Sequence, residues 1–490
     1  MEATQNKLRS VRSELLFSFI IVAFAIFLAV TFDDSPKFLI IISLILALFS
    51  LVRKWFSSDV LLFLLIMCLI LEKYQYYIGF SIRLPMLILL ILALVLFLRT
   101  ALTAKLRFEV SQVHFLAVLL FIVYVLGTLT AIEPIRVIRV CLLYVFLFML
   151  FFVLLHFLRT EDKIRKASLY FVAVGMIGAL YGIYQIVGFI FTWPVDLPFI
   201  DYFSHHEKYN IGLTVFRIGG NLFPRINSTF NDPVLIGTYT AMSLMILISF
   251  MCARYARKNL PFKQAVIFVL GALLLLSCVV LTFSRSSWIG AFLGATVMAY
   301  YLFKNNKTRG ALTALAIFFT IALVMAMIVF PSFKEMTIGR AMQTFDQGDI
   351  STSGHLKWLL IAIEAWADNP FFGVGLGNFG EYYAINYQAM TMAMTHSAYF
   401  SFLAETGAIG FTLEMILIVL IFRHLVLAIS LARKSQDTDF YFLLIGLLSA
   451  YVVMLGANIT YHFYTQFYVW FFNGLAVAAS TYVIKRHTRE

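Results

Sequence analysis

Charged side chains are scarce in this sequence. Asp, Glu, Lys and Arg make up 13% of the 490 residues, whereas 62% are hydrophobic. A soluble domain carries about one quarter charged residues and is closer to half apolar. Apolar runs of about 18 residues or more, long enough to cross a bilayer as helices, recur along nearly the whole chain. The composition therefore excludes an ordinary soluble protein and predicts an all-α, polytopic transmembrane helical bundle.

Cysteine is also rare, and the first apolar run is not typical of a cleavable leader. The four cysteines, which fall within or at the end of apolar runs, are Cys68, Cys141, Cys252 and Cys278. They suggest neither a disulfide framework nor a zinc site. The first apolar run ends in AVTFDDSP without a small-residue cleavage site, so we expect it to be retained as a helix.

About 12–14 apolar segments are expected to span the membrane, and the third and fourth are short. The fourteen segments cover residues 15–32, 38–52, 60–71, 84–98, 112–131, 137–158, 167–192, 234–253, 264–283, 287–303, 311–330, 407–428, 440–457 and 466–484.

The basic residues predict the orientation of these spans. Lys and Arg concentrate in cytoplasmic connections, and with the N-terminus inside this alternation holds through every turn. Both termini are then cytoplasmic, in a multi-pass protein of the cell (inner or cytoplasmic) membrane. The net charge of +12 is explained by this topology and by contact with anionic membrane lipids, so we expect no nucleic-acid partner.

Two connections on the predicted outer side are too long to be simple turns. Loops of this length are usually functional or disordered, and their Trp, Tyr and Phe content argues against disorder. The predicted organisation is N-terminal helices (1–192), an extracytoplasmic loop (193–233), central helices (234–330), a large extracytoplasmic catalytic loop (331–406) and C-terminal helices (407–490).

The string GLGNFG at 375–380 spells G-x-G-x-x-G, which in dinucleotide-binding folds follows a strand and opens a helix. Here it follows a predicted amphipathic helix, 354–367, and lies outside the membrane, where NAD and ATP are not normally supplied. We therefore expect no nucleotide and no other cofactor. The glycines are expected to form a tight loop where the backbone approaches another segment or a ligand.

Two of the arginines on the predicted outer side stand out, because the positive-inside bias does not favour arginine there. Arg285, in LTFSRSSWIG, fits a residue snorkelling from a helix end, but a fixed guanidinium among serines also suits bidentate binding of phosphate. Arg225, in FPRINSTFNDPVLIGTY, is either a loop anchor or a ligand contact. In the same segment, Asp232 and Pro233 are explained as the N-cap and first residue of a helix.

His396, in THSAYFSFLAETGAIGF, precedes the twelfth span. A lone histidine is commonly structural, but a neutral imidazole is also a natural proton acceptor near neutral pH. Glu405 would not face His396 on one straight helix, so we expect it at a helix end or in an inter-segment contact. Glu414 lies well inside a span, where burial normally implies pairing or function, and receives no role. Asp346 and Asp349 fit no metal motif, and no metal site is predicted.

The segments TFSRSSWIGAFLGA, NPFFGVGLGNF and THSAYFSFLAETGAIGF, with RINSTFNDPVLIGTYTA upstream, resemble the superfamily of O-antigen ligases and Wzy-type O-antigen polymerases. These are integral membrane glycosyltransferases, and the resemblance covers roughly residues 220–425. It implies an enzyme whose site lies on the outer face of the cell membrane. Its donor would be a glycan linked through pyrophosphate to a polyprenyl lipid such as undecaprenol. The glycan passes to a hydroxyl of a glycan or lipid acceptor, without a nucleotide sugar.

The resemblance also implies roles for particular residues. Arg225 and Arg285 match the family's functional arginines and would bind the pyrophosphate, with Arg285 also catalytic. His396 matches the loop histidine and would be catalytic, as the acceptor's base. Glu405 would be a supporting residue.

Three positions depart from the family's pattern. Ser397 stands where Asn commonly follows the histidine, and Val234 where Asn commonly follows the proline. In SGHLKWLLIAIEAW, His355 stands where Arg is frequent and keeps only a supporting role, so Lys357 is expected to supply the third pyrophosphate contact as a point charge.

Three functions remain open at this point. We favour a polymerase that joins surface-polysaccharide repeat units. The first alternative is a ligase that moves a finished glycan onto a lipid or cell-wall acceptor. The second is a transporter or flippase of polysaccharide or lipid-linked glycan, but transporters tend to carry ionisable residues near the bilayer midplane, and only Glu414 fits that pattern.

Overall fold

The computed structural model describes residues 58–77, 81–102, 112–195, 214–218, 221–305, 308–310, 313, 350–388, 394–435 and 437–488. The chain divides into two compact units, Met1–Phe63 and Leu64–Glu490. Within the first unit, the structure describes only residues 58–63, which form the opening turns of the first helix. The predicted spans 15–32 and 38–52, and 311–330 apart from residue 313, lie outside the described residues, as do Asp346 and Asp349.

Thirteen α-helices occur in the described part of the chain, together with two short antiparallel hairpins. The helices are α1 Ser58–Leu69, α2 Leu84–Leu102, α3 Gln112–Leu126, α4 Pro134–Phe157, α5 Glu161–Phe191, α6 Pro233–Ala256, α7 Phe262–Leu281, α8 Arg285–Phe303, α9 Ile350–Asp368, α10 Phe379–Asn386, α11 Ala398–Lys434, α12 Thr438–Ala457 and α13 Phe467–Thr488. The strands are β1 Gln75–Tyr77 with β2 Ser81–Arg83, and β3 Thr214–Ile218 with β4 Asn221–Arg225.

The membrane-spanning fold class is confirmed. Within the described residues, nine helices are long and apolar enough to cross a membrane: α4 to α8, α11 to α13, and α3 with the 3₁₀ turn Gly127–Leu129 that follows it. Helices dominate because the bilayer core offers no water to satisfy backbone N–H and C=O groups. The short third and fourth predicted spans fall on α1 and α2, whose apolar stretches, Asp59–Leu69 and Leu84–Ala93, stay below that length.

The segment predicted as the large outer loop is largely helical where it is described. It contains α9, α10 and the first turns of α11. The helix predicted over 354–367 is confirmed as part of α9. The first turns of α11 could not be separated from its transmembrane part by hydropathy, because the break at Gly407 is a backbone feature, with φ 64° and ψ −170°.

Helices α6, α12 and α13 form the interior of the bundle. In the most apolar window of each, 89%, 89% and 83% of the residues are buried, against 28% in α7 and α8. Exposed side chains on those two outer helices, such as Phe262 and Phe292, suit contact with lipid. On α8, Gly290 and Gly294 lie against α12, where an added Cβ would come within 2.4 Å of atoms of Val453. Small residues at this spacing let membrane helices approach closely.

Ion pairs join the helix ends that are predicted to be cytoplasmic. Asp439, near the start of α12, accepts from Arg165 of α5 at 2.8 Å and from Arg257, which follows α6, at 2.9 Å. Arg486, near the end of α13, lies 3.2 Å from Asp437. The start of α5, the end of α6, the start of α12 and the end of α13 therefore meet in the structure, as the pattern of basic residues predicts for one side of the membrane.

The connections predicted to be outside meet at the opposite helix ends. Ile226, after β4, donates its N–H to the carbonyl of Leu281 at 3.2 Å, where α7 ends. The hydroxyl of Thr460, between α12 and α13, donates to the hydroxyl of Ser286 at 2.7 Å. Arg83 of β2 donates to the carbonyl of Thr465 at 3.2 Å. The structure thus reproduces the predicted grouping, and the side of the membrane that each group faces stays a prediction.

Candidate active site

Arg225 is fixed by the backbone around it. It ends β4, and its Nε donates to the carbonyl of Thr282 at 2.9 Å. This contact anchors the end of β4, and it places the guanidinium beside the segment that leads into α8. Burial lowers the pKa of Arg225, the Asp232 carboxylate raises it and Arg285 lowers it. An arginine remains protonated under such shifts, so Arg225 supplies a fixed cation beside a second one.

Arg285 is the first residue of α8, and the serines around it organise that helix start. The hydroxyl of Ser284 caps the helix by accepting from the N–H of Ser287 at 3.3 Å. The hydroxyl of Ser287 donates to the carbonyl of Val234 in α6 at 3.1 Å. The serines therefore have a structural role, and they hold the half-buried Arg285 at a helix N-terminus, whose dipole also favours anions.

His396 lies in a tight turn just before α11. Its φ is 52°, and the N–H of Ala398, two residues on, is shared between the carbonyls of Asn458 and Tyr461 at 3.0 and 3.1 Å. The imidazole is half-buried. Burial lowers the pKa of His396, and the Asp232 carboxylate partly opposes this. The ring is therefore neutral at pH 7, the state that a proton acceptor needs.

Asp232 has a second role that the sequence did not reveal. It is the N-cap of α6, as predicted, since its Oδ1 accepts from the N–H of Val234 at 2.7 Å. The same carboxylate acts electrostatically on both Arg225 and His396. The N-cap role already explained Asp232, so its second role was not predicted. An acidic residue seven positions after Arg225 could nevertheless have indicated an interaction between the two.

Strained backbone marks the three motif segments that contain Arg225, Arg285 and His396. Six non-glycine residues in the described part have positive φ, and three of them are Ser228 (51°), Phe283 (48°) and His396 (52°). Such conformations cost on the order of 1–3 kcal/mol each and cluster at functional sites, where the surrounding structure enforces them. Their positions, one in each motif, support a site built from these three segments.

The glycine string forms a tight loop against α11, as the sequence predicted. The N–H groups of Val374 and Gly375 donate to the carbonyls of Ala404 and Glu405 at 2.9 and 3.1 Å. Gly373 has φ 70°, and a Cβ there would lie 2.4 Å from the carbonyl carbon of Glu405. The glycines therefore serve close packing of two backbone segments, which leaves the nucleotide interpretation without structural support.

Glu405 fastens this loop. Its carboxylate oxygens accept from the N–H of Gly377 at 2.9 Å and of Phe379 at 3.4 Å. The expected inter-segment contact is confirmed, with backbone amides as its partners. Glu405 therefore supports the first turns of α11, which directly follow the turn that carries His396.

Lys357, on α9, contacts two aromatic rings. Its Nζ lies 5.5 Å from the ring centroid of Trp358 and 5.6 Å from that of Tyr383, and the residue is exposed. The described contacts of Lys357 are with aromatic rings rather than with the arginines, so its pyrophosphate role stays a prediction. His355 lies in the same helix, and its side chain is outside the described part.

Glu414 is fully buried in α11 and is paired. The hydroxyl of Tyr124, from α3, donates to its Oε1. This hydrogen bond gives the intramembrane acid the partner that its burial requires.

Residues 270–415 match a family model, Wzy_C, described as O-antigen ligase. The match includes Arg285, the glycine loop, His396 and Glu405, and it ends just after Glu414. It confirms the resemblance to the O-antigen ligase and polymerase superfamily over this part of the chain and supports a membrane function of that general type. The Arg225 segment precedes the matched residues. No curated protein matches the chain.

Proposed function

We propose that the protein is a membrane glycosyltransferase that polymerises surface-polysaccharide repeat units from a polyprenyl-pyrophosphate-linked glycan donor. The site lies on the outer face of the cell membrane, and both termini are cytoplasmic. The observation that carries the proposal is that residues of three separate segments act on one another: the Asp232 carboxylate acts on both Arg225 and His396, and Arg285 acts on Arg225. The family match supports the same class of chemistry.

The arginines act on the leaving group. When the bond between the anomeric carbon and the pyrophosphate oxygen breaks, the pyrophosphate gains negative charge. Preorganised guanidinium groups stabilise such charge most effectively where water is excluded. The Arg225 side chain is held by the carbonyl of Thr282, and the backbone of Arg285 is held by the capped start of α8, so both arginines start from fixed positions.

His396 acts on the acceptor. Its neutral imidazole takes the proton of the acceptor hydroxyl while that oxygen forms the new bond to the anomeric carbon. The polyprenyl pyrophosphate leaves with the bonding electrons, and the proton passes from the imidazolium to solvent. No nucleotide or metal cofactor is required by this scheme.

The placement of polar groups favours an enzyme over a transporter. Transporter sites typically lie near the midplane, at interrupted helices. Here Arg225, Arg285 and His396 lie at a strand end, a helix start and a turn between helices. The buried acid Glu414 has Tyr124 as its hydrogen-bond partner. The ligase remains the closer alternative, since donor chemistry is the same and only the acceptor differs.

Purified protein in nanodiscs, given one lipid-linked repeat unit, tests the proposal. A polymerase uses this compound as both donor and acceptor, so we expect a ladder of products spaced by one repeat unit and still attached to lipid pyrophosphate. A chelator should leave the ladder intact, and Arg285→Ala should abolish it.

The alternatives give different outcomes. Strict dependence on a separate acceptor, with single transfer and no ladder, would contradict the polymerase and support the ligase. Inertness in both assays, with movement of the substrate across a proteoliposome membrane, would support the transporter.

A further inference from the structure

One cation that the proposed mechanism does not use is buried on the predicted outer side. Lys73 lies in the connection between α1 and β1, well before the matched family segment. Its exposed fraction is 5%, and no other lysine or arginine in the described part of the chain is buried. Burial of a cation is costly unless its hydrogen bonds are satisfied, so the contacts of this side chain indicate what it does.

Lys73 contacts the segment that carries Arg225. Its Nζ donates to the carbonyl of Ser228 at 3.1 Å, three residues after Arg225. The backbone N–H of Lys73 donates to the carbonyl of Thr229 at 3.1 Å. The hydroxyl of Thr229 in turn donates to the carbonyl of Ile70. The side chain and the backbone of Lys73 therefore hold two successive residues of one turn.

Helix α5 contacts the same turn through Gln185, which is also buried. The N–H of Ser228 donates to the Oε1 of Gln185 at 2.8 Å, and the Nε2 of Gln185 donates to the Ser228 carbonyl at 3.4 Å. The hydroxyl of Ser228 donates to the carbonyl of Gly178 at 2.8 Å. Every polar group of Ser228 is thus bonded, and its carbonyl accepts from both Lys73 and Gln185.

The turn requires such contacts because its backbone is strained. Ser228 has φ 51°, a left-handed conformation that residues other than glycine keep only where the surrounding structure enforces it. The residues just before the turn place the arginine: Ile226 donates its N–H to the carbonyl of Leu281 at 3.2 Å, and Arg225 donates to Thr282 at 2.9 Å. Relaxation of the turn would disturb both contacts, so the position of the guanidinium depends on the turn.

We propose that Lys73 is a positioning residue for binding of the donor pyrophosphate, whose ammonium holds the strained Ser228 turn and thereby fixes the Arg225 guanidinium. The proposal rests on the proposed function, since that function gives Arg225 its role in donor binding. A charged donor bonds a carbonyl more strongly than a neutral donor does, which suits a lysine to a turn that has to be held against its own strain.

Direct attraction of the pyrophosphate by the positive charge of Lys73 is the alternative that the test has to separate. Gln185 makes the separation possible, because it bonds the same turn without a charge. If both side chains act by holding the turn, loss of either weakens donor binding. Loss of both then weakens it by less than the product of the single effects, because residues that act on one element are not additive.

The test compares Lys73→Met, Gln185→Leu and the double variant with Ser168→Ala, all as full-length protein in nanodiscs. Ser168 is a matched control on α5. Its buried hydroxyl donates to the carbonyl of Ile164 at 2.9 Å, and it lies about 25 Å along the helix from Gln185. The measurements are the dissociation constant for undecaprenyl pyrophosphate, kcat/KM for transfer, and hydrogen–deuterium exchange of residues 226–231.

We expect Lys73→Met to weaken binding of undecaprenyl pyrophosphate about tenfold, the lower end of the range for one hydrogen bond from a charged group. Gln185→Leu should weaken it about three- to tenfold, as expected for neutral hydrogen bonds. The value of kcat/KM should fall by at least the same factors, since it includes donor binding. Exchange of residues 226–231 should rise in both variants, and Ser168→Ala should match the wild type throughout.

Unchanged binding of undecaprenyl pyrophosphate in Lys73→Met would overturn the proposal. Weaker binding in Lys73→Met alone, with Gln185→Leu at the wild-type level and unchanged exchange of residues 226–231, would also overturn it, because that pattern belongs to a direct effect of charge. Lys73→Gln, a shorter and neutral donor, replaces Lys73→Met if the latter does not fold.

A wild-type protein that neither binds undecaprenyl pyrophosphate nor transfers glycan would instead contradict the proposed function. Hydrogen–deuterium exchange of residues 226–231 would then still decide whether Lys73 and Gln185 hold the turn, since that measurement needs no donor.

Discussion

Replacing Gly373 with alanine tests whether close packing of the glycine loop on α11 is what holds the His396 segment in place. An added Cβ at residue 373 would lie 2.4 Å from the carbonyl carbon of Glu405 and 2.6 Å from the carbonyl oxygen of Ala404. These are backbone atoms, so rotation of a side chain cannot relieve the overlap. The loop and the first turns of α11 must move apart.

Two terms determine the size of the effect. Alanine in the left-handed conformation, at φ 70°, is disfavoured by about 1–2 kcal/mol. Separation of the segments also disrupts two hydrogen bonds, from Val374 to Ala404 and from Gly375 to Glu405, each contributing about 0.5–1.5 kcal/mol. The expected loss in the free energy of unfolding is therefore about 2–5 kcal/mol.

The assay is denaturant unfolding of purified protein in mixed micelles, followed by tryptophan fluorescence, with transfer measured on the folded fraction. Gly310→Ala is the control, because Gly310 lies in a helical turn and an added Cβ there has no neighbour within 4 Å. It should be neutral or stabilising by up to about 1 kcal/mol. We expect Gly373→Ala to lower both stability and transfer. If its unfolding curve coincided with that of Gly310→Ala, the packing argument would be wrong.

Three further predictions concern charge and orientation. Arg285→Lys should recover little of the transfer lost in Arg285→Ala, because a point charge lacks the bidentate fork; near-normal transfer by the lysine variant would return Arg285 to a snorkelling role. Because burial lowers the pKa of His396, its protonation is displaced to lower pH, so the midpoint of the decline in rate on acidification should lie below the pH of about 6.5 that is usual for a free imidazole. A decline already centred above pH 7 would contradict a neutral, buried base. Single cysteines at positions 208 and 396 should react with an impermeant thiol reagent added outside intact spheroplasts, and labelling only after lysis would reverse the orientation.

The helices could be predicted from the sequence because the membrane imposes a simple physical rule. Each span must satisfy its own backbone, so apolar runs of sufficient length identify α3 to α8 and α11 to α13. Hydropathy could not locate α10 or the break at Gly407, because these depend on which backbone segments pack together.

Part of the site could also be predicted, since isolated polar residues stand out in apolar surroundings. Arg225, Arg285 and His396 were recognisable on that basis and from the family's motifs. The electrostatic contact of Asp232 with His396 was not, because the two residues are far apart in sequence. Moreover, Asp232 was already explained as the N-cap of α6, so nothing in its sequence position indicated a further role.

The central claim is that the arginines hold the pyrophosphate while His396 serves the acceptor. The most direct test measures donor binding and transfer on the same preparations of wild type, Arg285→Ala and His396→Ala. We predict that Arg285→Ala loses binding of lipid pyrophosphate, whereas His396→Ala binds donor normally and transfers about 10²–10⁴-fold more slowly, as expected for loss of a general base. Normal donor binding by Arg285→Ala, or loss of binding by His396→Ala in parallel with transfer, would contradict this division of roles.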